Sequence, residues 1–100
     1  MTEKHDELPI ERSEDSSKGR YFLRLDGAEA ELTYSRAGDD TIIIDHTYVP
    51  DALRGRAIGD ALVRRAVEDA RAEKRTIVPL CPFARSRIAR HPEWQDVLKR

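Results

Sequence analysis

The change from strand to helix falls within residues 49–62, which read Val49-Pro50-Asp51-Ala52-Leu53-Arg54-Gly55-Arg56-Ala57-Ile58-Gly59-Asp60-Ala61-Leu62. Proline ends a strand, an arginine-rich turn with two glycines follows, and the residues beyond it suit a helix. Glycines let successive backbone amides turn inward, and the free N–H groups of a helix N-terminus attract an anion. Arg54 and Arg56 add hydrogen-bond donors suited to phosphate oxygens. The loop therefore indicates a phosphate-binding site, and a helix start with solvated arginines is the alternative.

Upstream of this loop, three segments alternate apolar and polar residues with the period of two that is typical of β-strands. They span residues 20–25, 28–35 and 41–49, and turns at Asp26-Gly27 and at residues 38–40 separate them. The third segment begins with a threonine and three isoleucines, so it is apolar on both faces and belongs in the centre of a sheet. We predict an antiparallel meander of three strands.

Downstream of the loop, apolar residues recur every four positions from Ile58 onward, which predicts a helix over residues 58–73. Residues 76–80 form a short strand, and the intervening helix allows this strand to lie parallel to the third one. Pro82 favours the start of a second helix that runs to about residue 90. The predicted fold class is α+β: a meander, a helix, a parallel strand and a C-terminal helix.

The composition describes one small domain. The chain has 100 residues, of which 37% are charged, and a formal net charge of −1. Its single cysteine excludes an internal disulfide, and the near-neutral charge disfavours a dedicated nucleic-acid binder. The sequence has neither an apolar run of the ~20 residues that span a bilayer nor a signal peptide. We therefore expect a cytoplasmic monomer that does not contact a membrane.

Residues 1–18 differ from the rest of the chain because they hold six acidic residues, three basic residues and few apolar ones. Such a segment cannot bury enough apolar surface to offset the entropy lost on ordering. We predict a disordered acidic tail over residues 1–18 and a folded domain over residues 19–100. An acidic docking arm is the alternative function of the tail.

The strand, loop, helix and strand around residues 49–62 resemble the pyrophosphate-binding motif of the GNAT superfamily of N-acetyltransferases. The motif, Gln/Arg-x-x-Gly-x-Gly/Ala, is met by Arg54, Ala57 and Gly59, with Ala57 in place of the usual first glycine. Alanine is tolerated at this position if Ala57 keeps a right-handed conformation. Four segments in order resemble the minimal YjdJ-type acetyltransferase-like family: His46-Thr47-Tyr48-Val49-Pro50, Leu53-Arg54-Gly55-Arg56, Pro79-Leu80-Cys81-Pro82-Phe83 and Arg90-His91-Pro92-Glu93-Trp94.

The resemblance spans roughly residues 20–98 and implies a GNAT-like fold in which the last two strands splay apart around acetyl-CoA. It also implies the residues that would bind this cofactor: Val49, Arg54, Gly55, Arg56, Ala57, Ile58, Gly59, Asp60, Cys81, Phe83 and Arg85. The basic residues of the second helix offer a further phosphate contact, and a solvated helix face is the alternative.

The catalytic residues are less clearly defined by the resemblance. In many GNAT enzymes a tyrosine in the second helix protonates the leaving thiolate, whereas the same spacing here gives Ile88. Cys81 is a candidate nucleophile or acid, or else a small buried thiol that packs beside the cofactor. His46 is a candidate general base if its side chain faces the cleft, or else a core histidine. The three histidines lack metal-ligand spacing, so we expect no metal.

The sequence as a whole predicts an acetyl-CoA-dependent N-acetyltransferase that acts on an amine, with a protein lysine as one candidate acceptor. Two alternatives remain open. One is a CoA-binding module without turnover, which the isoleucine at position 88 favours. The other is a small interaction module that uses its basic helix on a protein or a nucleic acid.

Overall fold

A computed structural model describes residues 8–99, in which five strands form one mixed sheet. The strands are β1 (Glu11–Glu14), β2 (Lys18–Leu25), β3 (Ala28–Arg36), β4 (Thr41–Tyr48) and β5 (Thr76–Pro79), in the sheet order β1-β2-β3-β4-β5. The helices are α1 (Ile58–Ala72) and α2 (Pro82–Ala89), and short 3₁₀ turns cover Asp51–Leu53 and Pro92–Val97. Neighbouring strands are antiparallel except for β4 and β5, which are parallel. The predicted α+β fold is confirmed.

One face of the sheet packs against α1 and α2 and forms the core. The alternate residues of each strand lie on this face, and Leu23, Leu32 and Ile44 among them are fully buried. Helix α1 contributes its apolar stripe, which includes Leu62 and Ala66. The helix carries the chain across the sheet, and for this reason β5 can pair in parallel with β4.

The N-terminal segment departs from the predicted disordered tail. Residues 1–7 lie outside the described residues, but β1 pairs with β2, so the sheet begins before residue 19 and the prediction is wrong for residues 11–14. Ion pairs, rather than the burial of apolar side chains, attach this polar strand to the fold. Arg12 Nη1 lies 2.6 Å from Glu73 Oε2, and Glu14 Oε1 lies 2.9 Å from Arg75 Nη1. The hydrogen bond from Arg75, helped by one from Tyr34, lowers the pKa of Glu14 to about 2 against the opposing effect of desolvation.

None of the helices in residues 8–99 combines the length and the apolar composition that a membrane crossing requires. The same residues contain no group of three or more His, Cys, Asp or Glu side chains arranged to hold a metal ion.

Candidate functional site

Strands β4 and β5 separate at one end of the sheet. Their pairing runs from Thr41 and Thr76 to Ile44 and Pro79, while β4 continues to Tyr48 without β5 as a partner. The amides of Leu80 and Cys81 both lie 3.1 Å from the Ile44 carbonyl oxygen, which is the last point of contact between the two strands. The predicted splay of the parallel strand is therefore present.

A pocket of about 530 Å³ opens between the end of β4, the loop before α1, and α2. This volume lies within the range of roughly 300–1,000 Å³ that is typical of small-molecule sites. Most of the predicted cofactor-binding residues line it: Val49, Arg54, Gly55, Ala57, Ile58, Gly59, Asp60 and Phe83. The sequence motif and this pocket thus coincide.

The first turn of α1 presents backbone amides to this pocket. The N–H groups of Ile58, Gly59 and Asp60 precede the first helical hydrogen bond, which joins Ala61 N–H to Ala57 O at 3.1 Å. The N-cap residue, Ala57, makes no side-chain capping hydrogen bond. Free donors at the positive end of a helix dipole are the arrangement that an anion site requires.

Ala57 does not have the right-handed conformation in which alanine would be tolerated at this position. Its φ is 58° and its ψ is 28°, in the left-handed region. The reversal turns the chain from the loop into α1. The glycine of the family motif is therefore replaced at a position where glycine would avoid steric strain.

Gly59 is required by a close approach of α2. A Cβ atom built on Gly59 would lie 2.6 Å from the tip of the Phe83 ring. Phe83 in turn supports the guanidinium of Arg87, whose carbon lies 4.6 Å from the ring centroid. The second glycine of the motif therefore allows α1 and the aromatic wall of the pocket to meet.

The arginines of the region have different partners. Arg54 lines the pocket, and its Nε lies 3.2 Å from Asp51, in a pair exposed enough to contribute little stability. Arg87 lines the pocket and contacts Asp60, with 2.6 Å between Nε and the carboxylate oxygen. Arg56 pairs instead with Asp26 in the β2–β3 turn, at 2.8 Å.

Three other predicted residues also lie outside the pocket lining. The Arg85 Nε–H donates to the Pro79 carbonyl oxygen at 3.4 Å, so it is Arg87 rather than Arg85 that faces the pocket. Cys81 is 5% exposed and lies behind the wall, where its thiol donates to Thr47 Oγ1 at 3.4 Å. The third residue, His46, lies outside the lining because of an irregularity in β4.

A β-bulge in β4 turns His46 away from the site. Thr33 pairs with His46 and Tyr34 pairs with Ile44, so Asp45 is an extra residue without a partner. Beyond the bulge the alternation shifts by one, and Thr47 comes to lie opposite the buried Leu32. His46 is exposed on the other face of the sheet, where its ring stacks on Tyr48 with 6.5 Å between centroids. Neither alternative for His46, a base in the cleft or a core residue, is met.

Sequence reasoning missed three residues of the lining, Thr47, Leu53 and Arg87. Thr47 was hidden because uninterrupted alternation places it on the outer face. Arg87 lies on α2 two positions after Arg85, and at 3.6 residues per turn the two side chains point in roughly opposite directions, so the basic composition of α2 does not tell which of them faces the pocket. Ile88, the next residue, is 1% exposed and lies in the core.

Comparison with known proteins agrees with this geometry. The sequence profile of the family described as GCN5-related N-acetyl-transferase matches residues 20–97. Protein NATD1 from Gallus gallus is 36% identical over 62 residues, which cover 60% of this chain and 56% of that protein. The Xenopus tropicalis NATD1 is 38% identical over 56 residues, which cover 54% of this chain and 51% of that protein. The chain thus spans about half the length of these relatives.

A solved structure extends the similarity to nearly the whole chain. The solution structure of a GCN5-like protein from Staphylococcus aureus, inferred to be an N-acetyltransferase, matches with a TM-score of 0.73 and 33% identity. The match covers 92% of this chain and 88% of that one. Since the family profile covers most of the sequence and the fold agrees, this chain belongs to the GCN5-related N-acetyltransferases, the GNAT superfamily.

Proposed function

We propose that the chain transfers an acetyl group from acetyl-CoA to an amine, with the pocket at the splay as the donor site. The observation that carries the proposal is the coincidence of the pocket with the free amides of Ile58, Gly59 and Asp60. A diphosphate needs several donors at one place, and the start of α1 offers three without distortion of the helix. The strand side of the pocket, formed by Thr47 and Val49, would then lie along the pantetheine arm.

The reaction forms a C–N bond and breaks a C–S bond, and one proton changes place. The neutral amine attacks the thioester carbonyl carbon, the C–S bond breaks, the nitrogen loses a proton and the CoA thiolate takes one up. Cys81 stands at the point where β4 and β5 separate, and its thiol contacts Thr47 in the pocket wall. The thiol lies behind that wall, so to protonate the thiolate, or to accept the acetyl group and pass it to the amine, it has to reach the pocket past Thr47.

Binding is tested by thermal unfolding in acetyl-CoA. A ligand at 100 times its dissociation constant stabilises the fold by about 2.7 kcal/mol, which raises the melting temperature of a domain of this size by roughly 10 °C or more. Arg54→Met should reduce the rise. Arg24→Met is the matched control, because Arg24 is also an exposed, ion-paired arginine but lies on β2. An unchanged melting temperature in millimolar acetyl-CoA would refute the donor site.

Turnover is tested by mass spectrometry of acceptor peptides. We propose a protein lysine as the acceptor, and therefore expect lysine peptides to be acetylated faster than small amines. Cys81→Ala should abolish transfer if the thiol reacts, whereas His46→Ala should leave it unchanged because His46 lies on the opposite face of the sheet. An acetyl group trapped on Cys81 would identify the relay, and its absence in an active enzyme would leave Cys81 as the acid.

A CoA-binding module without turnover is the second candidate. Ile88 favours it, because the tyrosine that serves as acid in many relatives has no counterpart here and the isoleucine is buried in the core. This candidate predicts thermal stabilisation by acetyl-CoA together with no acetylation of any peptide or amine. The two experiments above therefore separate it from the enzyme.

A further inference from the structure

The pocket lining holds an anion of its own. Asp60 lies in the first turn of α1, where an acidic side chain stabilises the helix dipole, and it lines the pocket. Its carboxylate oxygen lies 2.6 Å from Arg87 Nε. A carboxylate therefore stands beside the same free amides that would receive a diphosphate.

Arg87 is incompletely satisfied by this contact. Its Nε–H does not point at the carboxylate, and Nε is shielded from solvent without a hydrogen-bond partner among residues 8–99. The guanidinium is held over the Phe83 ring with 27% of the side chain exposed, so its donors are fixed in position yet available to an anion.

We propose that Asp60 is an internal competitor that tunes the affinity of the pocket for the diphosphate of CoA, and that Arg87 is the group for which the two anions compete. The proposal rests on the proposed function, since it concerns the same donor site. Binding of the diphosphate brings two negative charges toward the Asp60 carboxylate and offers Arg87 better aligned oxygens. The carboxylate opposes binding and the guanidinium favours it.

The competition would act on the substrate and on the product alike. Acetyl-CoA and CoA carry the same diphosphate, so a carboxylate that weakens one weakens the other. Asp60 then prevents CoA from remaining bound after transfer, which matters when product release limits turnover. The affinity for a thioester that lacks phosphates should not depend on Asp60.

Isothermal titration calorimetry with two ligands tests this inference. Acetyl-CoA is the charged probe and S-acetylpantetheine is the uncharged one. We expect Asp60→Asn to tighten acetyl-CoA binding by roughly fivefold to tenfold, and Arg87→Met to weaken it by about tenfold, the effect of one charge-assisted contact. Neither variant should change the affinity for S-acetylpantetheine by more than about twofold.

Matched controls remove the effect of net charge. Glu68→Gln deletes an exposed carboxylate farther along α1, and Arg90→Met deletes an exposed guanidinium at the end of α2. Both controls should bind acetyl-CoA as the unmodified chain does. Circular dichroism of all four variants checks that the helices are retained.

The outcomes separate this inference from the proposed function. If the unmodified chain binds acetyl-CoA but Asp60→Asn binds it equally or more weakly, the competitor is refuted and the donor site stands. An Arg87→Met variant with unchanged affinity would refute it as well. If the unmodified chain does not bind acetyl-CoA, the proposed function itself fails.

Discussion

Replacing Ala57 by glycine should stabilise the fold, because Ala57 has a left-handed backbone with φ 58°. That conformation costs an L-amino acid about 1–2 kcal/mol, and glycine adopts it without strain. Glycine also gains conformational entropy in the unfolded chain, which offsets about 0.5–1 kcal/mol of the benefit. The net increase in the free energy of unfolding should be about 0.5–1 kcal/mol. For a domain of this size the melting temperature rises by roughly 3–6 °C.

Urea denaturation of three variants measures this effect. Ala57→Gly should shift the midpoint upward with an unchanged m-value. Ala61→Gly, one turn into α1, should lower the free energy of unfolding by about 1 kcal/mol, because glycine is unfavourable in a right-handed helix. Gly55→Ala should also be destabilising, since Gly55 has φ 84° although no heavy atom lies within 4 Å of the added Cβ.

The signs of these changes decide the matter. If Ala57→Gly is destabilised as much as Ala61→Gly, Ala57 is right-handed in solution and the strain argument is refuted. If Gly55→Ala is harmless, the turn before α1 tolerates either conformation. Acetyl-CoA binding by Ala57→Gly should be retained, because the amides at the start of α1 keep their directions.

Three further predictions concern the rest of the fold. Glu14 has a pKa of about 2, held below its ordinary 4.5 first of all by the hydrogen bond from Arg75, so the folded chain binds fewer protons and loses stability as the pH falls from about 5 to 2. Glu14→Gln should therefore lower the free energy of unfolding by about 1–2 kcal/mol near neutral pH and flatten this acid dependence. Tyr21→Phe removes a buried hydrogen bond from β2 to α1 and should cost about 1–2 kcal/mol in urea denaturation. Gly59→Ala should cost about 1–3 kcal/mol, and less in a Phe83→Leu background, because its Cβ would collide with the Phe83 ring.

Each of these has a contrary result. An acid limb that stays equally steep in Glu14→Gln would mean that other carboxylates control it. If Tyr21→Phe is as stable as the unmodified chain, the hydrogen bond from the Tyr21 hydroxyl to Asp69 Oδ2, 2.8 Å long, contributes nothing net to the free energy of unfolding. If Gly59→Ala lowers the free energy of unfolding equally with phenylalanine and with leucine at position 83, the collision with the ring is not the cause of the loss.

The order of elements could be read from the sequence because local patterns determine it. Alternation of period two located β2 and β3, the Asp26-Gly27 pair located the turn between them, and recurrence every four residues located α1. Both turn residues have positive φ, as that type of hairpin requires. The parallel pairing of β5 followed from the helix before it. The motif around Arg54 identified the loop that lines the pocket.

The N-terminal strand could not be predicted, because its stabilisation comes from distant residues. Strand β1 has few apolar side chains, and composition alone indicates disorder. Its acids and bases find partners in the turn between α1 and β5, where Glu73 and Arg75 are about sixty residues away in sequence. Such ion pairs become visible only when the chain is folded.

What the sequence determined by itself is the fold class, the strand-loop-helix order around residues 49–62 and the family resemblance, since all three rest on residues that are neighbours along the chain. What only the tertiary structure decided is which side chains face the pocket. One extra residue, Asp45, shifts the alternation of β4, so that Thr47 points into the site and His46 points out of it. The approach of α2 to α1 likewise selects Arg87 and sets it against Asp60. Strand register and helix packing decide which side chains point into the pocket, and neither is a property of local sequence.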